Sequence, residues 1–118
     1  MATLTNQLSS FTGLNLSTAS ADVAGDEFTN TGRELLYISN GGGSSITVTI
    51  TAQQTSVQKQ GFGSLTVADT TVTIPAGEDR FIGPFPVQRF SDSAGRVQVS
   101  YSDVTSVVVG VIDARKAD

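Results

Sequence analysis

Alternation of apolar and polar residues is the dominant pattern along the 118 residues of this chain. The clearest example is SITVTITA (45–52), in which apolar residues alternate with threonines. The apolar positions that would share one strand face are Ile46, Val48, Ile50 and Ala52. Successive side chains of a strand point to opposite faces, so this segment predicts a strand with one buried face.

Two further segments show the same period of two, TTVTI (70–74) and RVQVSYS (96–102). The first is followed by Pro75, which cannot donate a ladder hydrogen bond and therefore marks the end of a strand. The positions that we expect to face inward are Val72 and Ile74 in the first segment, and Val97, Val99 and Tyr101 in the second.

The segments ELLYIS (34–39) and VTSVVVGVI (104–112) are apolar on both faces. Strands that are covered on both sides have this character, so we expect the two segments to lie centrally in a sheet or beneath another surface. On this interpretation Tyr37, like Tyr101, occupies an inward position.

Turn residues separate the predicted strands. NGGGSS (40–45) predicts a hairpin whose glycines take positive φ, and SDSAG (91–95) predicts a second hairpin with Gly95 in the left-handed region. FTNTG (28–32) and PAGED (75–79) are also typical turns. No segment has an apolar repeat of helical spacing, and short strands with frequent turns predict an all-β fold.

We therefore predict a single antiparallel β-sandwich, jelly-roll-like in its arrangement, over residues 21–118. Residues 1–20 form a separate N-terminal arm, because their apolar residues do not alternate. Either this arm is a disordered chain end, or it orders on a partner that its apolar residues anchor. Those residues are Leu4, Leu8, Phe11, Leu14 and Leu16.

The charge and the apolar content of the chain argue against several classes of function. The formal charge is −4 and the seven basic residues are scattered, which argues against binding duplex nucleic acid. The longest apolar run, VVVGVI (107–112), is far shorter than the roughly 20 residues that span a bilayer. The N-terminus lacks the basic and apolar regions of a secretory signal. We expect a soluble protein that is intracellular when it is made.

The residue inventory is poor in catalytic groups. The chain has neither His nor Cys, which excludes Ser–His and Cys–His nucleophiles and makes a zinc site impractical. A calcium site from Glu78, Asp79 and Asp92 is conceivable, but no loop has acids at alternating positions, so we interpret them as solvated turn residues. GGG (41–43) lacks the Lys-Ser/Thr of a nucleotide loop. We expect no enzyme activity, cofactor or metal.

The segment IPAGEDRFIGPFPVQRFSD (74–92) holds all three prolines of the chain. Pro84 and Pro86 keep it extended and remove amide donors, so it should be an edge strand followed by a crossover. Phe85 and Phe90 then have two interpretations. They plug the open end of the sandwich, or they form an apolar lip, rimmed by arginines, that docks a partner subunit. The arginines are Arg80 and Arg89.

Two stretches of the chain carry a resemblance. They are ADVAGDEFTNTGRELLYISNGGGSSITVTI (21–50) and TIPAGEDRFIGPFPVQRFSDSAGRVQVSYSDVTSVVVGVI (73–112). Their order resembles a family of small virion proteins of tailed bacteriophages, and the run from IGPFP to VQVSYS is its most specific part. The residues that match are Phe28, Asn30, Gly32 and Arg33 in the first turn, and Phe81, Gly83, Pro84, Phe85, Pro86, Arg89 and Phe90 in the crossover.

The resemblance implies a capsid decoration protein, which binds the major capsid protein on the outer surface of the virion and braces adjacent subunits. It implies self-association as well, with a homotrimer as the leading expectation. A neck or tail component of the same virion and a carbohydrate-binding adhesion module remain alternatives. The residues that we predict to contact partners are Leu4, Leu8, Phe11, Leu14, Arg80, Phe85, Arg89 and Phe90.

Overall fold

A computed structural model describes residues 2–9, 13–53, 56–59, 63–66 and 68–113, and for 56–59 and 63–66 it describes the backbone alone. Two sheets of five strands each pack face to face, which confirms the predicted all-β sandwich. Phe11 and the C-terminal residues 114–118 lie outside the described residues.

Sheet I has the strand order β1-β4-β11-β6-β9. Its β1 runs parallel to β4, whereas the other neighbours are antiparallel. Sheet II also holds one parallel pair, so both sheets are mixed, which corrects the predicted purely antiparallel arrangement. The strands are β1 (Ala2–Thr3), β4 (Asp26–Thr29), β6 (Ile46–Ile50), β9 (Thr70–Ile74) and β11 (Arg96–Tyr101).

Sheet II has the order β10-β5-β12-β2, and β3 pairs with the other half of the same edge of β12. The strand β2 is parallel to β12, and β3 is antiparallel to it. The strands are β2 (Asn6–Leu8), β3 (Ala19–Ser20), β5 (Glu34–Asn40), β10 (Asp79–Ile82) and β12 (Val107–Asp113).

Two smaller elements complete the described chain. Strands β7 (Ser56–Lys59) and β8 (Gly63–Thr66) pair with each other in a two-stranded ribbon between β6 and β9. The helix α1 (Val87–Phe90) lies between β10 and β11. The sequence predicted no helix, and this one has too few residues to show an apolar period.

The core lies between the sheets and includes most of the predicted inward residues, whereas Val72 and Tyr101 are only partly buried against it. Phe28, which was predicted to lie in a turn, also belongs to the core. In β6 the buried and half-buried positions alternate strictly, as its threonine pattern predicts. Strands β5 and β12 are interior strands of sheet II, which confirms the central position expected from their composition. Fully buried side chains of the core include Phe28, Leu36, Ile38, Val48, Ile50, Ile74, Val97 and Val111.

The prediction of a hairpin at NGGGSS is wrong. This segment carries the chain from β5 in sheet II to β6 in sheet I, and none of its glycines is at positive φ. The Asn40 side-chain amide donates to the Ser44 carbonyl and its oxygen accepts from Gly42 N–H. A Cβ at Gly41 would lie 3.0 Å from the Ser106 carbonyl oxygen, so glycine is needed here for close approach.

The turn at SDSAG also differs from its prediction. Gly95 has φ +76, as expected, but the turn follows α1 and precedes β11, so it joins no two paired strands. The Asp92 carboxylate accepts from the Ala94 and Arg96 amides and thereby closes the turn.

Candidate interaction surface

The crossover after β10 places its aromatic rings in the core. Phe85 is 3% exposed, and its ring centroid lies 5.7 Å from that of Phe28 and 5.9 Å from that of Phe90. Phe90 is also buried. The two side chains fill the end of the sandwich, as the plug interpretation predicts. Their buried rings present no surface to a partner, which corrects the prediction of Phe85 and Phe90 as contact residues.

The turn at residues 30–32 meets the crossover at this end of the sandwich. The Asn30 amide donates to the Phe85 carbonyl oxygen at 3.2 Å, and its own oxygen accepts from Gly32 N–H at 2.9 Å. Gly32 has φ +91, which the turn requires and a residue with a side chain rarely adopts. The turn and the crossover therefore form one structural unit.

The arginines that were predicted to rim a lip make contacts within the chain. Arg89 donates to the Ala68 carbonyl oxygen at 2.7 Å and lies over the Phe90 ring, which ties the crossover to the base of the β7–β8 ribbon. Arg80 pairs with Glu78 at 2.8 Å. Both side chains are half-buried.

The outer face of sheet II is an apolar surface. The inward side chains of β5 and β12 alternate with half-buried residues that point away from the core. Cross-strand neighbours on this face are Leu35 with Ile112, and Tyr37 with Phe81. Phe81 is 59% exposed, which makes it one of the most exposed large apolar side chains of the described residues. We call Leu35, Tyr37, Phe81, Val108 and Ile112 the sheet II face.

Tyr37 was predicted to face inward, and this is wrong. Its ring lies 5.0 Å from the Phe81 ring, and its hydroxyl donates to Asp79 at 2.9 Å. This hydrogen bond to the Asp79 carboxylate raises the pKa of Tyr37. The segment ELLYIS is apolar on both faces. Such a pattern is the same for a strand that is covered on both sides and for a strand whose outer face is apolar but uncovered.

Part of the sheet II face is covered by the N-terminal segment. A Cβ at Gly110 would lie 3.1 Å from the Ser17 carbonyl oxygen and 3.3 Å from Leu16, so this segment rests directly on the middle of β12. Of the predicted arm contacts, Leu4 packs against the core, Leu14 is half-buried and Leu8 is 43% exposed.

The outer face of sheet I is polar by contrast. Thr47 pairs with Thr73, and Thr49 with Thr71, on the neighbouring strands β6 and β9. Beside them Glu27 accepts hydrogen bonds from Gln98 and Arg96. The Gln98 amide, followed by the Thr3 hydroxyl, holds the pKa of the Glu27 carboxyl below its usual range. The two outer faces thus differ sharply in chemistry.

The buried carboxylates are held by hydrogen bonds from the chain itself. Glu34 is fully buried and accepts from the Thr31 amide and hydroxyl, each at 2.7 Å, and from Asn6 at 3.3 Å. Asp26 accepts from the Tyr101 hydroxyl at 2.7 Å. Among the described residues, no group of three or more His, Cys, Asp or Glu residues is placed to hold a metal ion.

Comparison with known proteins finds no counterpart: no family model, curated protein or solved structure matches this chain. Within the described ranges, no helix has the length and apolar character that crossing a membrane requires.

Proposed function

We propose that this protein is a structural component of a tailed-phage virion that binds the outer surface of the capsid and braces adjacent capsid subunits. The observation that carries the proposal is the sheet II face, a row of apolar and aromatic side chains on the outside of the sandwich. The resemblance over residues 21–112 supplies the context of the virion. The role needs adhesion and stability, with no catalysis.

The composition of the sheet II face supports a protein partner. Aromatic residues are enriched in the cores of protein interfaces, and charged residues are depleted there. Tyr37 and Phe81 supply the aromatic groups, and the register partners Ser39 and Asp79 are the polar residues beside them on the same face. Contiguous apolar surface with a polar rim is typical of interaction sites. The partner that we propose is the major capsid protein.

We further infer that the sandwich is a jelly roll. Leaving out β1, β2 and the ribbon, the sheets have the orders β3-β12-β5-β10 and β4-β11-β6-β9. Successive strands change sheets at every step except from β6 to β9. The first of these strands, β3, also lies beside the last, β12. Together these features support an arrangement of eight strands in two Greek keys. Shell proteins of viruses commonly use this architecture.

The test is co-sedimentation of the purified protein with expanded phage capsids that lack it. We expect saturable binding at a fixed ratio to the major capsid protein, and a ratio that fits local threefold positions would favour the homotrimer. A Phe81→Ser variant should bind roughly tenfold more weakly or worse, as loss of an interface hot spot does. The matched control is Thr73→Ser on the exposed outer face of sheet I, which should bind as the unmodified protein does.

Two results would redirect the proposal. Absence of binding by the folded protein favours a neck or tail position, for which ring formation by the purified protein is the evidence to seek. Unchanged binding by the folded Phe81→Ser variant would show that the sheet II face is not the contact surface.

A carbohydrate-binding role is the second candidate, because the structure places an aromatic pair on the surface. Tyr37 and Phe81 are side by side, and Asp79 next to them offers a hydrogen-bond acceptor. Against it, the two rings are inclined by 48° and so form no flat platform for a sugar ring. A glycan array without hits would remove this candidate.

A further inference from the structure

The N-terminal arm occupies a groove that the rest of the chain builds. Residues 2–9 follow the edges of both sheets, beside β4 and then beside β12. Their amides donate to carbonyl oxygens of the sandwich, from Leu4 to Glu27 at 2.7 Å and from Ser9 to Asp113 at 3.0 Å. This is recognition of an extended segment by addition to a sheet edge.

Side chains of the arm fit specific positions in this groove. Asn6 donates to the Thr29 carbonyl oxygen at 3.0 Å and to buried Glu34 at 3.3 Å. The Gln7 amide makes two hydrogen bonds with the backbone of Ser17, each 2.8 Å long. Leu4 packs against the core between the sheets. The groove therefore selects this segment by its side chains as well as its backbone.

We propose that in the assembled protein this groove takes residues 2–8 of a second copy, so that neighbouring copies exchange their N-terminal arms. The occupant follows from the contacts above, because the groove already fits this segment residue by residue. An identical segment from another copy makes the same hydrogen bonds and buries the same leucine. Exchange of an identical element is a low-cost route to an oligomer.

The packing of the arm is consistent with its release from its own groove. Only two residues of β1 and three of β2 pair with the sandwich, and they pair in parallel, which is the slightly less stable arrangement per residue. A pocket of about 360 Å³ lies between the arm and the body, lined by Thr3, Leu4, Gln7, Ser17 and Gly110 among others. The pocket is open to solvent, so the arm leaves part of the space beside β12 unfilled.

The chain reverses direction between β2 and β3, and Gly13 lies in this connection. It has φ +97, and a Cβ built there would meet no other atom of the described residues within 4 Å. A glycine in open space can change its backbone angles without losing contacts, which suits the hinge of an exchanging arm. The exchange involves self-association alone, so it is independent of the capsid proposal.

Disulfide trapping tests this directly, because the natural chain has no cysteine. Thr3 and Glu27 are register partners whose side chains are hydrogen bonded at 3.0 Å, a proximity that suits a disulfide after Thr3→Cys and Glu27→Cys substitution. Chains with only T3C and tagged chains with only E27C are refolded together, oxidised and separated under non-reducing conditions.

With exchange, mixed T3C and E27C chains form a covalent heterodimer. The yield of this heterodimer should be roughly tenfold or more above the yield from mixed T3C and V23C chains. Docking of the arm in the groove of the other copy raises the local concentration of the T3C thiol beside the E27C thiol. Val23 is 83% exposed and serves as the unpaired control. The pair Q7C and I112C, at the register partners Gln7 and Ile112, repeats the test if E27C folds poorly.

One result would contradict the exchange of arms. If the double variant T3C/E27C yields only disulfide-bonded monomers, and the mixed single variants link no more than T3C with V23C, each arm stays in its own groove. Failure of capsid binding would not produce this pattern, because capsids are absent from the experiment.

Discussion

The Tyr101 hydroxyl donates a hydrogen bond of 2.7 Å to the Asp26 carboxylate, joining the end of β11 to the start of β4 within sheet I. Asp26 is fully buried, and the same carboxylate oxygen accepts from the Asp22 amide at a longer 3.3 Å. The Tyr101 side chain packs against the hydrophobic core. The Tyr101 hydroxyl is thus the closer of the two hydrogen-bond donors to the buried Asp26 carboxylate.

Replacing Tyr101 by Phe should lower the free energy of unfolding. The change leaves a buried carboxylate without its closer donor, a loss of about 1–3 kcal/mol. Tyr37→Phe is the matched control, since its hydroxyl bonds an exposed Asp79, and its effect should stay within about 0.5 kcal/mol. Urea unfolding of both variants measures the difference. Equal effects would mean that the Tyr101–Asp26 bond contributes no more than a surface contact.

The same tyrosine predicts a loss of stability at alkaline pH. Burial, and then the hydrogen bond to Asp26, raise the pKa of Tyr101. An unfolded tyrosine titrates near pH 10, with a pKa of about 10. The stabilisation is therefore complete below that pH and declines as the pH rises above it. Urea midpoints measured from pH 8 to 11 should fall more steeply for the natural chain than for Tyr101→Phe. Parallel curves would contradict this assignment.

Phe85 and Phe81 allow a buried and an exposed phenylalanine of the same chain to be compared. Phe85→Ala should reduce the free energy of unfolding by about 3–5 kcal/mol, because it opens a cavity between two other rings in the core. Phe81→Ala, at a side chain 59% exposed, should change it far less. Thermal unfolding of the two variants is the measurement. A Phe85→Ala variant as stable as Phe81→Ala would contradict the cavity argument.

Gly25 is a position where a single methyl group should be costly. It has φ +95, and a Cβ there would lie 2.7 Å from the Val99 carbonyl oxygen, which belongs to the backbone of β11. Gly25→Ala should therefore destabilise the protein by about 1–3 kcal/mol. Gly43→Ala is the control, since nothing lies within 4 Å of its Cβ position and its φ is not positive. Similar unfolding midpoints for the two variants would contradict the steric argument.

The sequence by itself determined the strands and most of the core. Ile46, Val48 and Ile50 alternate with threonines, and a period of two allows only one face of the strand to be buried. Local chemistry also predicted the positive φ of Gly95 and a turn in FTNTG, because few other residues adopt these conformations. The turn itself is shorter than predicted, since Phe28 and Thr29 belong to β4. Such features depend on near neighbours in the chain.

Only the tertiary structure decided where those strands go. The residues of NGGGSS allow a hairpin or a crossing between sheets, and the choice depends on the distant backbone of Thr105 and Ser106. Tyr37 faces outward because its neighbours Leu36 and Ile38 are the ones that face sheet I, and a strand that is apolar on both faces does not encode which face will be the inner one. Likewise the arm of residues 2–9 lacks alternation, since it pairs with two sheets in turn. Pairing between segments far apart in sequence is set by the energy of the whole packed chain, and local periodicity carries no record of it.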